Sequence, residues 1–117
     1  MNDQVQWVRV AARENIPERE GRALLVGDRE LALFNMGDHF LATNNRCPHN
    51  AGPLCDGIVT GNSVVCPLHA WKVNLASGSV ERPAGAKDHC VETYPTKIEN
   101  GFVIIGLPLV QRQGAAA

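Results

Sequence analysis

Long apolar runs are missing from this 117-residue sequence. The most extended, GFVIIGLPLV at 101–110, is about half the length a membrane-spanning helix needs, and it contains Pro108. The first ten residues, MNDQVQWVRV, have neither the basic start nor the apolar stretch of a secretion signal, so a soluble, cytoplasmic protein is expected. An excess of one charge is missing too. Eleven Lys and Arg stand against 12 Asp and Glu, a formal net charge of −1, so electrostatics gives no reason to expect nucleic acid or a membrane as partner. Cysteine is sparse, at four residues, and a reducing cytosol argues against a disulfide framework; metal binding or plain burial is the expected use. Repeats, linkers and amphipathic stretches longer than about two helical turns are also absent.

The hydrophobic fraction of 44% is that of an ordinary globular chain, and the length suits one domain with a modest core. Residues 1–110 are expected to form that domain, and the tail QRQGAAA at 111–117 to fray. Short β-branched or alternating runs bounded by Gly, Asn and Asp predict strands. They are QWVRVA (6–11), RALLV (22–26), ELALFNM (30–36), HFLAT (39–43), GIV (57–59), SVVC (63–66), WKVNL (71–75), CVETYPTKIE (90–99) and FVIIGL (102–107). Gly27-Asp28, Gly37-Asp38 and Thr60-Gly61-Asn62 suit tight turns, and Asn100-Gly101 is a type I′ hairpin signature. Pro17 disfavours a long helix in RENIPEREG. The expected class is all-β, with short antiparallel strands.

Two fragments carry the chemistry: CPHNAGPL at 47–54 and CPLHAW at 66–71. One residue separates Cys47 from His49, two separate Cys66 from His69, and sixteen (Asn50 to Val65) lie between the pairs. The hairpin at Thr60-Gly61-Asn62 can fold that connection back and set the two loops face to face. Pro48, Pro53 and Pro67 stiffen the loops, and Gly52 permits close backbone approach. Three readings suit four such ligands. They are thiols buried by coincidence beside satisfied histidines, a structural zinc site, or a [2Fe–2S] cluster with two histidines on one iron and two cysteines on the other. Common zinc spacings pair cysteine with cysteine, which counts against the second.

The pattern Cys47-x-His49, sixteen residues, Cys66-x-x-His69 resembles the Rieske iron–sulfur signature, and the likeness extends over nearly the whole chain. The resemblance implies Rieske-type antiparallel β-sheets with two cluster-binding loops at one end. It places Cys47 and Cys66 on the inner iron and His49 and His69 on the outer one. Exchanging two thiolates for neutral imidazoles makes the cluster less negative, so it accepts an electron more readily than all-cysteine ferredoxins do. One-electron transfer to a redox partner is implied, with no catalysis by this chain alone. The partner is expected at a rim made of Pro48, Asn50, Leu68, Ala70 and the Pro83-Ala84-Gly85 loop.

Membrane-anchored Rieske proteins carry an extra cysteine pair bridging the loops; the matching positions here are Gly52 and Leu68. Cys55 and Cys90 are therefore expected to be small buried thiols, and His39 and His89 solvent-facing residues. DGIVTGNSVVCPLHAWKVNLASGSVERP (56–83) and CVETYPTKIENGFVII (90–105) resemble the Rieske-type small subunit of assimilatory NAD(P)H nitrite reductase. The flavin- and sirohaem-bearing large subunit, which reduces nitrite to ammonium, is then the implied partner. The alternative is a Rieske ferredoxin that feeds an aromatic-ring-hydroxylating dioxygenase. High-potential Rieske proteins place a serine two residues and a tyrosine four residues after the second histidine ligand. Trp71 and Val73 hold those positions here, so a low potential is expected.

Overall fold

The computed structural model describes residues 5–46, 52–67, 70–83 and 89–108. In chain order its strands are β1 (Val5–Ala12), β2 (Gly21–Val26), β3 (Arg29–Asn35), β4 (Phe40–Asn44), β5 (Ile58–Thr60), β6 (Ser63–Val65), β7 (Lys72–Asn74), β8 (Val80–Arg82), β9 (Thr93–Tyr94), β10 (Thr96–Glu99) and β11 (Phe102–Pro108). Short 3-10 turns at Arg13–Asn15 and Leu54–Asp56 are the only helical elements among the described residues. None is long and apolar enough to cross a membrane. The class is all-β, as expected.

Three antiparallel sheets result, in the orders β1-β11-β10, β2-β3-β4-β9 and β5-β6-β7-β8. Local turn chemistry sets their hairpins. Val26 pairs with Arg29 across Gly27 (φ +63°), and Thr60 pairs with Ser63 across Gly61 (φ +59°). Glu99 pairs with Phe102 across Asn100 and Gly101, both at positive φ (+52° and +83°), the backbone that a type I′ turn requires.

Strand β3 decides how the sheets are layered. Leu31 and Leu33 on one of its faces join Ile16, Phe40, Ala42, Tyr94, Val103 and Ile105 in the core between the first two sheets. Ala32 and Phe34 on its other face join Leu54, Val64, Cys66, Val73 and Leu75 under the third sheet. All four central residues of β3 are fully buried, which explains why its sequence is a nearly unbroken apolar run rather than an alternation. Each large side chain here stabilises the fold by about 1.5–3 kcal/mol relative to exposure.

Two elements differ from expectation. CVETYPTKIE is not one strand: Thr93–Tyr94 pairs with β4, and Thr96–Glu99 pairs with β11. The change of sheet falls at Pro95, which has no N–H for a ladder; its carbonyl accepts the Gly106 N–H at 2.9 Å, and Thr96 Oγ1 donates to the Phe40 carbonyl at 2.6 Å. Strand β8 carried no sequence signal, being three residues long with two of them charged. Glu81 holds it in place, accepting from Ser63 Oγ at 2.7 Å and Asn74 Nδ2 at 2.9 Å, with Lys72 Nζ 3.8 Å away.

Those hydrogen bonds from Asn74 and Ser63, aided by the Lys72 charge, hold the Glu81 carboxyl below its ordinary pKa. The lowered value means the ionised form is preferred in the folded state. Its stabilisation is present above the ordinary carboxylate range and is lost as pH falls through the depressed value. Thermal melts between pH 7 and pH 3 should therefore show a smaller acid-induced fall in Tm for Glu81→Gln than for the native chain. An identical fall in both would remove Glu81 from the acid response.

Candidate metal centre

The first candidate loop leaves β4 through a narrow neck. Arg46 forms an isolated antiparallel bridge with Pro53, and the Leu54 N–H donates to the Asn45 carbonyl at 3.3 Å. Beyond the neck lies the 3-10 turn Leu54–Asp56, whose Leu54 side chain is fully buried against β3 and β6 residues. Gly57 then runs directly against the third sheet. A Cβ on it would overlap the Val65 carbonyl oxygen and approach Val64 Cγ2 to 2.7 Å, so only glycine permits this close approach. The base of the first loop is thereby stacked on the residues that lead into the second.

The second loop joins β6 to β7. The Cys66 N–H donates to the Trp71 carbonyl at 2.7 Å, which brings the two ends of the loop together, and Ala70 adopts φ +56°. Cys66 is only 1% exposed and belongs to the core under the third sheet, whereas Pro67 and Ala70 are exposed. Trp71 is half-buried against that core, with its ring 5.4 Å from His89 and tilted by 51°. A cysteine sunk into apolar surroundings at the foot of an exposed turn suits a thiolate whose charge a metal compensates, since an uncompensated charge there would be costly.

Of the four expected ligands, Cys66 is among the described residues; Cys47, His49 and His69 lie outside them, as do Pro48, Asn50, Leu68, Ala84 and Gly85 of the expected rim. Among the described residues, no three His, Cys, Asp or Glu side chains gather as a metal-binding group. Cys55 is half-buried, with its Sγ 3.7 Å from Asp56 Oδ1, and burial pushes its thiol pKa up. Cys90 is exposed, contrary to the expectation of a buried thiol, because its bridge to Ser79 lies at the protein surface. His39 and His89 are exposed, as expected.

The model for the Rieske [2Fe-2S] domain family matches residues 6–95. The chain belongs to the Rieske family.

A Rieske-type [2Fe–2S] cluster is the cofactor that this membership implies, and electron transfer the role. The Rieske chain is 33% identical over 99 residues to the ferredoxin component of the naphthalene 1,2-dioxygenase/salicylate 5-hydroxylase systems of Ralstonia sp., covering 85% of this chain and 93% of that relative. Among solved structures it resembles the Sphingomonas yanoikuyae B1 ferredoxin, with a TM-score of 0.77 and 28% identity over 88% of this chain and 100% of that one. It also resembles a Mycobacterium tuberculosis protein assigned as the small subunit of an NADH-dependent nitrite reductase, with a TM-score of 0.78. That second likeness covers 87% of this chain and 95% of the other at 22% identity, and it speaks for the Rieske fold alone.

Proposed function

We propose that this chain is the ferredoxin component of an oxygenase system. In this reading Cys47 and Cys66 ligate the inner iron of a [2Fe–2S] cluster and His49 and His69 the outer one. The supporting observation is the sequence relationship to a dioxygenase ferredoxin over nearly the full length of both chains. When bound, such a cluster takes up and releases one electron at a time. The chain's own contribution is to bury the cysteine side of the site and present a small, neutral rim, so that a partner comes close without stripping water from charges.

The features that resemble the nitrite reductase small subunit have structural work that either family needs. Trp71 packs on the core, Lys72 faces Glu81, and the Tyr94 hydroxyl donates to Asn44 Oδ1 at 2.6 Å while accepting from Arg29 Nη1 at 2.8 Å. Such residues brace a Rieske domain whatever it docks against, so they discriminate poorly between partners.

The test is stopped-flow oxidation of the dithionite-reduced protein, mixed in turn with an aromatic-ring dioxygenase and with a sirohaem nitrite reductase large subunit. Oxidation by the oxygenase at a rate that rises with its concentration is expected; oxidation by the nitrite reductase alone would overturn the proposal. Ala70 is exposed on the rim, and its left-handed φ is retained by other residues at similar cost. Ala70→Arg should slow the bimolecular step by about tenfold, as expected where a charge must be desolvated at an interface core. Charge reversal at Glu99 in β10, on the first sheet, should leave it unchanged.

A further inference from the structure

Asn45 is the one buried asparagine among the described residues, at 2% exposure, and its four polar groups divide between the neck of the first loop and Glu30 of β3. Its side-chain Oδ1 accepts the Cys55 N–H at 2.8 Å, and its Nδ2 donates to Glu30 Oε2 at 3.0 Å. Its backbone N–H donates to the Glu30 carbonyl at 3.1 Å, and its own carbonyl accepts the Leu54 N–H at 3.3 Å. The amide orientation follows from the partners, because a backbone N–H needs an oxygen and a carboxylate needs a donor. One residue thus ties the start of β3, the end of β4 and the Leu54–Asp56 turn together.

That junction links the bases of the two candidate loops. Residues 45 and 46 on one side and 53 to 55 on the other are the two posts of the loop that carries Cys47 and His49. The same turn continues into Gly57, whose backbone lies against Val65, next to Cys66. The turn is therefore the shared base from which both loops spring. An apolar residue of the same size would leave the Cys55 N–H and the Glu30 carboxylate without this partner; only an amide supplies donor and acceptor in opposite directions.

We propose that Asn45 is a positioning residue that sets the separation of the two ligand loops, with Glu30 as its anchor on β3. The proposal rests on the reading that both loops hold the cluster. It predicts that Asn45 controls how firmly the metal is kept and at what potential, beyond any effect on global stability.

A swap of functional groups provides the test. In Asn45→Asp the acceptor for the Cys55 N–H survives, but two carboxylates oppose each other. Adding Glu30→Gln gives the amide to position 30, restores a donor–acceptor pair and returns the net charge to that of the native chain. Cluster loss to an iron chelator, followed as bleaching of the visible absorbance, is measured beside the reduced-state paramagnetic spectrum, the midpoint potential and the thermal melt. Asn45→Asp should lose its cluster at least about tenfold faster than the native chain. The double variant should return to within about twofold of native, with the native spectrum and potential. Bleaching in the double variant as fast as in Asn45→Asp, or failure of the double variant to fold, would overturn the proposal. So would a lowered Tm in Asn45→Asp with native bleaching rate, spectrum and potential. Iron and sulfide analysis of the native chain tests the ligand reading separately: a native chain without a cluster removes that reading, whatever the variants do.

Discussion

Chains carrying His49→Ala or His69→Ala should lose the Rieske-type paramagnetic signal entirely, and Cys47→Ala or Cys66→Ala should yield colourless protein. In the proposed reading each of the four residues would supply one ligand to an iron, and an alanine offers nothing in its place. Native protein should be brown, with about two irons and two inorganic sulfides per chain. Cys55→Ser and Cys90→Ser provide the controls. Cys55 sits beyond the neck of the first loop beside Asp56, and Cys90 is exposed where it bridges Ser79, so both variants should keep colour and signal. Stoichiometric zinc without sulfide, in protein made with ample iron, would restore the structural zinc reading. Loss of the cluster in Cys55→Ser, with His49→Ala unaffected, would mean the ligand set was misassigned.

The second large effect concerns the midpoint potential, which should lie toward the low end of the roughly −150 to +300 mV spanned by Rieske centres. Hydroxyl donors at the positions of Trp71 and Val73 stabilise the extra negative charge of the reduced cluster in high-potential relatives. Val73 is fully buried in the apolar core under the third sheet, with no proton to donate. Trp71 packs against that core and the ring of His89; its indole can donate, but its bulk disfavours the short contact a serine makes. Protein-film voltammetry at neutral pH measures the value directly. A potential above about +100 mV would show that other donors outweigh the two missing hydroxyls. A low value suits electrons that come from a nicotinamide by way of a flavin, which is compatible with either type of partner considered above.

The choice of partner was the hardest thing to read from residues alone. The loop stretch around Trp71 and Lys72 pointed toward nitrite reductase, yet in the structure Lys72 braces β8 through Glu81 and Trp71 packs against the core. Residues that brace a shared fold look alike in proteins that serve different enzymes.

Local chemistry made much of the fold legible in advance. Hairpins at Gly27, Gly61 and Asn100-Gly101 follow from φ angles that few other residues adopt, so turn and strand positions could be read from neighbours in sequence. The two Cys/Pro/His fragments stood out for the same reason: residue type and spacing are local properties, and the family match over residues 6–95 spans both. Tertiary structure alone decided what depends on distant residues. It placed β3 between two cores, divided CVETYPTKIE between two sheets at Pro95, and exposed Cys90. It also brought Glu30 and Cys55 to Asn45 across 15 and 10 residues of chain. An asparagine before a loop carries no signal of its own, because its role exists only once three separate segments have met. Burial on both faces of a strand is likewise a property of what packs there, and a strand cannot report its neighbours until the sheets close around it.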